Sequence, residues 1–565
     1  VRPISRLMAS GGGGAAFSAN FVSNPTLPQG ATFSRGTVAT QYNSSGLLQY
    51  APSNLLLQSQ ALNLSPWITQ PNVTLTSTNT GVAPDGTLTA SLWTFSGTSN
   101  NSIYQSYNTA VNQTLTGSVY LKGQAGQTIS VSWQPFSGSA VFTVWTLTGN
   151  WDRVSATATN GATAGSGNFA ISVTAGQTAT AVYVWGAQLE ASPTATTYTP
   201  TTTAAVYGPR FDYDPTNASP KGLLIEEGRT NSLLQSNTFT TTWVTTNATV
   251  TANSVVSPDG SVNASTIVPT TSTNSHLIGQ SIAVTAGSWN VSFYLKSDGY
   301  TKIGIREDAI TGASVAVDLS IGATLYTTGT NTTSVTSVGN GWYRVSMNYT
   351  VSANASHTYS IYVLPASYTT GSFYGINWAG DGASGVYVYG AQAEAGGFVT
   401  SYIPTTTTAA TRNNESLTIA SIPWYSSTAG SVVIQFDTNG IQSTEAIYPG
   451  IFSFNNGTST VRIGQFVAYN NGISTLQQGT AGPSVAATGN TLLDNTVYKT
   501  ASTWTVGNQS LCVSAGTVYS VANASLPAAT QLYLGQFDNP LNGHIRSFAY
   551  YKTAFTNAQL QSVTT

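Results

Sequence analysis

The chain has 565 residues, enough for roughly three or four domains, and its 41% hydrophobic and 11% aromatic content is able to fill cores. Only 6% of residues are charged; 17 Lys and Arg against 19 Asp and Glu give a net charge of −2 with no basic stripe, which argues against nucleic acid as a partner. The one cysteine, Cys512, excludes an intramolecular disulfide framework, and with no run of about 18 apolar residues no membrane insertion is expected.

Residues 1–30, beginning "VRPISRLMASGGGGAAFSANF", lack the apolar stretch of a secretory signal peptide and read as a short N-terminal arm. Arg2 and Arg6 are its polar anchors. Gly11–Gly14 reads as a linker, because no strand and no Lys-Ser/Thr frame it as a phosphate cradle. Residues 31–53 form a strand-and-turn collar. Residues 54–206 and 229–405 are then two versions of one domain. "NLLLQSQALNLSPW" answers "NSLLQSNTFTTTW", "APDGT" answers "SPDGS", "SVYLKG" answers "SFYLKS", and "GNWDRVSA" answers "NGWYRVSM". "VYVWGAQLEASPTATTYTPTTT" answers "VYVYGAQAEAGGFVTSYIPTTTT". Matches in the same order identify an internal duplication. A second collar spans 207–228 and a linker spans 406–416.

Within the repeats, "GSVYLKG", "TISVSW" and "NVSFYLK" alternate apolar and polar residues with the period of a strand, and Gly, Asn, Ser and Asp-Gly clusters bound them. The fold class is therefore all-β: tandem antiparallel β-sandwiches of the jelly-roll type. The matched pairs Trp67 with Trp243 and Trp151 with Trp342 are assigned to cores. Glu190 and Glu394, which recur in the repeated sentence, are read as buried carboxylates accepting backbone N–H bonds. Asp85 and Asp259 precede Gly in tight turns. The last unit, 417–565, has a different strand order and closes on "TNAQLQSV", a short helix with Thr556 as N-cap.

Several stretches resemble known families. "TWTVGNQSLCVSAGT" and "LNGHIRSFAYYKTAFTNAQLQ" make the last unit similar to concanavalin-like (laminin-G-like) lectin domains. The repeats look like carbohydrate-binding-module jelly rolls. "TFSR" and "RFDYDP…GLLIEEGRTN" resemble a motif of bacteriophage virion proteins that introduces such domains in fibres. The first collar departs from that motif: it reads "GLLQYAPSN", without the two glutamates and the arginine. The resemblance implies a tail or head fibre or spike on the virion surface, assembled in the host cytoplasm and released by lysis. Its arm would hold other virion proteins, its lectin-like units would bind host surface polysaccharide, and it would form a homotrimer. A capsid decoration protein is the alternative reading, and a polysaccharide depolymerase a third.

No catalytic constellation supports an enzyme. The three histidines, His276, His357 and His544, form no motif, and the acids Asp212, Asp214, Glu226 and Glu227 are expected to pair with Arg210, Lys221 and Arg229 or to cap turns. Glycan recognition instead points to aromatic faces. Aromatics unmatched between the repeats, or outside them, are the candidates: Tyr104, Trp133, Trp145, Tyr368, Tyr374, Trp378 and Trp424. No cofactor is expected; structural calcium, which needs clustered oxygens, stays open.

Overall fold

A computed structural model describes residues 14–97, 99, 101–308, 312–328, 331–440, 448–458, 460–468, 472–478, 484–486, 492–523 and 526–565. Arg2, Arg6 and most of the glycine run lie outside them. The described chain forms antiparallel β-sandwiches and one short helix, in two compact units. One unit holds residues 35–38 and 50–208; the other holds 14–34, 39–49 and 209–565.

The first repeat is two five-stranded sheets. One runs Asp152–Thr159, Thr114–Gly123, Ala181–Glu190, Ala90–Phe95, Val73–Gly81; the other runs Val141–Thr146, Thr128–Gln134, Gly165–Ser172, Ser102–Thr109, Ile68–Thr69. Alternation sets which side chains meet. Ile129, Val131 and Trp133 turn inward from one sheet and Val119 and Leu121 from the other, all fully buried. The second repeat keeps this order in two six-stranded sheets. It adds Ala323–Thr327 beside Ser314–Asp318 and Thr332–Ser337 beside Tyr343–Val351. Trp67, Trp243 and Trp342 lie in cores as expected, while Trp151 is half-buried.

The sentence written twice is a clasp between a domain's entry and its exit. Gly186 (φ 65°) and Gly390 (φ 61°) sit at bulges where the closing strand slips register against Ser118/Tyr120 and Ser292/Tyr294. A Cβ on Gly390 would come within 2.6 Å of the Tyr294 ring, so glycine is required. Glu190 accepts from the Thr196 amide (2.8 Å), the Thr196 hydroxyl and Gln188; Glu394 does the same with Thr400 and Gln392. At the entry, the Asn54 amide donates to Ala187 and Thr199 carbonyls and accepts from Leu56 and Leu189 amides. Asn231 repeats all four bonds with Ala391, Ile403, Leu233 and Ala393. The threonines have a part too. Thr201 donates its hydroxyl to Leu56 and Thr405 donates to Leu233, while Ser59 and Ser236 accept the two threonine amides. The threonine tract is thus the locked end of each domain.

The collar segments are not separate structures. Arg210–Tyr213 and Pro220–Ile225 extend one sheet of the C-terminal sandwich through Gly543–Tyr551. Phe17–Asn20 pairs with that same strand, and Ala31–Ser34 pairs with Ser416–Ile419 in the facing sheet. Residues 14–30, read as part of the N-terminal arm, and 31–34, read as the start of the first collar, are therefore woven into the sandwich. The reason is apolar burial: Phe21 (1% exposed), Leu223 and Ile225 belong to its core with Val432, Phe452 and Phe548. The chain closes on the helix Asn557–Val563, capped by Thr556 in a full capping box with Gln559.

Candidate functional site

Much of the chain's small charge complement is buried. Arg210 makes a two-point contact with Glu415 and lies 2.8 Å from Glu226; Arg412 lies 3.1 Å from Glu226, which also accepts from the Ser401 amide and hydroxyl. All four charged groups are at most 2% exposed. Burial raises the Glu226 carboxyl, but Arg412 and Arg210 outweigh it and hold it well below the usual carboxylate range. Beside this network His544 bridges two acids, Nδ1 to Asp437 at 2.6 Å and Nε2 to Asp212 at 3.0 Å. Burial works against its imidazolium, yet Asp437 and the two hydrogen bonds raise its pKa above the ordinary value. Asp214 caps the turn through the Thr216 amide, and Glu227 pairs with Arg229. With Arg546 donating to the Pro220 and Lys221 carbonyls, these contacts account for the charged residues of "RFDYDP", "GLLIEEGRT" and "NGHIRSF", and those of His544 and Arg546 tie the collar to the C-terminal sandwich.

The histidines are all fully buried. His276 lies between the Asn247 and Trp378 carbonyls, His357 faces Glu307 at 3.0 Å, and His544 is held as described. Among the described residues, no three His, Cys, Asp or Glu side chains converge to hold a metal ion.

The aromatic candidates divide. Trp133 is 0% exposed in the first-repeat core, and Tyr368 is 6% exposed in a second apolar cluster with Tyr362 and Phe373, so neither presents a face to a ligand. Trp133 is inward because it shares the parity of Ile129 and Val131. Trp378 is half-buried edge-on between His276 and Tyr300, and Trp424 stacks on Phe17 at 4.6 Å. Tyr104 is half-buried, on the outer side of its strand; Trp145 is 37% exposed and Tyr374 63%.

Tyr374 alone of these stands in a polar setting with charge. The strand Lys302–Glu307 sends Arg306 outward, and its guanidinium lies 3.8 Å from the Tyr374 ring centre. Arg306 Nε is 3.0 Å from Asp308, which also accepts from Tyr362 (3.1 Å) and from Ser360, both on Ala355–Leu364. Burial raises the Asp308 carboxyl pKa, against the pull of Ser360 and Tyr362. The guanidinium meets the ring in a cation–π contact, and the ring as a whole stays 63% exposed. Arg306 and Asp308 were missed in the sequence, although "KIGIRED" is dense in charge for this chain. A second feature is a cleft of about 360 Å³, lined among others by Tyr42, Lys221, Tyr294, Arg344 and Phe398. Its volume suits a small ligand, but Arg344 is already committed to the Thr400 carbonyl and Ser292.

Fold and surface thus define a tandem β-sandwich protein with an aromatic platform. No protein-family model and no curated protein matches the sequence. Among solved structures, the chain is similar to the CBM40 of the Ruminococcus gnavus IT-sialidase bound to α2,3-sialyllactose, with 14% identity over 25% of this chain and 84% of that one, at TM-score 0.22. It is similar to the CBM22-1–CBM22-2 tandem domain of Paenibacillus barcinonensis Xyn10C, with 12% identity over 61% of this chain and 96% of that one, at TM-score 0.22. It is also similar to domains LG4-5 of the mouse laminin α1 chain, with 9% identity over 51% and 90%, at TM-score 0.19.

Proposed function

We propose that this chain is a non-catalytic glycan-binding protein of the bacteriophage fibre or spike class, whose second repeat holds surface polysaccharide of the host. The observation that carries the glycan reading is Tyr374: an aromatic ring 63% exposed, braced behind by Arg306, with Asp308 and Tyr362 beside it. A sugar's C–H face stacks on such a ring while carboxylate and hydroxyl oxygens accept from its hydroxyl groups. The virion setting rests on the sequence resemblance of "RFDYDP…GLLIEEGRTN". The engaged, buried histidines support binding without catalysis. A single platform binds weakly, so presentation in several copies would raise avidity.

The test is a glycan array, followed by titration of host surface polysaccharide, with the full chain. Tyr374→Ala is expected to weaken binding about tenfold, equivalent to roughly 1.4 kcal/mol, with an unchanged melting temperature. Absence of glycan binding by the wild type, or full binding by Tyr374→Ala, would overturn the proposal.

A further inference from the structure

One sheet of the first repeat ends on a strand that the described residues leave open. Val141–Thr146 pairs on one side with Thr128–Gln134 and, among the described residues, with no strand on the other. Its apolar side chains lie in water: Val141 is 36% exposed, Phe142 56%, Val144 59% and Trp145 37%. Natural sheet edges are blunted by Lys, Pro or a bulge. This strand has none of these, its register with Thr128–Gln134 is unbroken, and no charged residue occurs between Lys122 and Asp152.

The second repeat shows what such an edge takes. Its register makes Ser314–Asp318 the counterpart of Val141–Thr146. There Ala323–Thr327 covers the edge, and Val315, Ala316 and Val317 are all 0% exposed. The first repeat reaches its next strand, Asp152–Thr159, directly through residues 147–151 and has no chain from which to build the extra strand.

We propose that Val141–Thr146 is completed by the same strand of a second copy of this chain, antiparallel about a two-fold axis at Thr143. In that register Val141 faces Trp145, Phe142 faces Val144, and Thr143 faces Thr143. Each aromatic thus opposes a β-branched residue, a favourable cross-strand match. Core-side residues meet core-side residues, since Val141, Thr143 and Trp145 lie opposite the inward Trp133, Val131 and Ile129. The neutral edge meets a neutral edge, so no charge is left without its counter-charge. With Phe136 (53% exposed) on the same hairpin, the apolar side chains of two copies expose on the order of 1,000 Å² for such a contact to draw on, about the floor for a specific interface. The two five-stranded sheets become one of ten strands, joined isologously.

Sedimentation of the full chain at micromolar concentration tests this. The wild type is expected at an even multiple of 58.7 kDa and Val144→Lys at half that mass. Thr143→Cys, whose two copies would lie about 4.5–5.5 Å apart between Cα atoms, is expected to give a disulfide-linked dimer on mild oxidation. Leu88→Cys, 59% exposed elsewhere in the repeat, is not. The native Cys512 is buried and does not interfere. Circular dichroism checks that each variant is folded. A monomeric or trimeric wild type overturns the proposal, as does an unchanged mass for Val144→Lys or no cross-linked dimer from Thr143→Cys. Tyr374→Ala is expected to keep the wild-type mass, so failure of the glycan reading is distinguishable from failure of this one.

Discussion

Replacing Glu226 with Gln measures how firmly the collar is locked. Four charged groups share the site: Arg210 and Arg412 at 0% exposed, Glu226 at 2% and Glu415 at 1%. Glu226→Gln keeps the shape and lets the Ser401 amide go on donating. It removes two contacts, at 2.8 Å to Arg210 and 3.1 Å to Arg412, and leaves two guanidinium groups against one carboxylate away from water. Breaking a buried pair from one side costs about 3–5 kcal/mol, because the remaining charge loses its partner without regaining water. Arg462 with Asp538 is the control, since Asp538 is 37% exposed; Asp538→Asn is expected to cost at most about 1 kcal/mol. Urea denaturation followed by tryptophan fluorescence reads both. If Glu226→Gln loses no more than Asp538→Asn, the network does not hold the collar and the reasoning fails.

Acid should weaken the same lock. The folded Glu226 pKa lies below its ordinary 4.5, so its contribution is complete above that value and is lost as pH falls through the folded pKa. The His544 pKa is raised, so its contribution is complete below the ordinary 6.5 and disappears as pH rises through the folded value; His544→Gln should flatten that alkaline loss in a melting-temperature profile. Glu190→Ala and Glu394→Ala each leave a threonine amide, half-buried at Thr196 and buried at Thr400, and a glutamine amide without their acceptor, and are expected to cost about 1–3 kcal/mol by denaturant titration. Asn231→Ala removes four hydrogen bonds at a fully buried position and should cost at least as much.

The sandwiches were legible because strand alternation and the internal duplication leave marks in one dimension. The buried roles of Glu190, Glu394 and Trp243 followed from their recurrence, since what a duplicated domain keeps is what holds it together. The collars were misread for a physical reason. Phe17–Asn20, Ala31–Ser34 and Pro220–Ile225 find their partners hundreds of residues away, in Ser416–Ile419 and Gly543–Tyr551, and no local pattern encodes a pairing at that separation. The aromatic candidates failed in part for the opposite reason. Trp133 was taken as free because it is unmatched, yet its parity with Ile129 and Val131 already placed it inside. The Tyr374 platform depends on Arg306 and Asp308, about 70 residues earlier, so only their charge density was visible.

The two repeats share a clasp and differ in what lies between its halves. The second repeat has extra chain in two places. Residues between Asp318 and Tyr343 supply strands that seal one side of the sandwich, and residues after Leu364 carry Tyr374 over the outer sheet face against Arg306. The first repeat has neither insertion, so it lacks the platform and keeps the open edge. The open edge follows from the missing segment after Val141–Thr146, and the missing platform from the shorter connection after Gly165–Ser172. An edge left open is a template for pairing with another strand. On the two proposals made above, duplication followed by unequal insertion would give recognition to the second sandwich and assembly to the first. Grafting residues 319–342 between Thr146 and Trp151 should then leave glycan binding intact while making the chain monomeric; loss of glycan binding with an unchanged mass would refute that division.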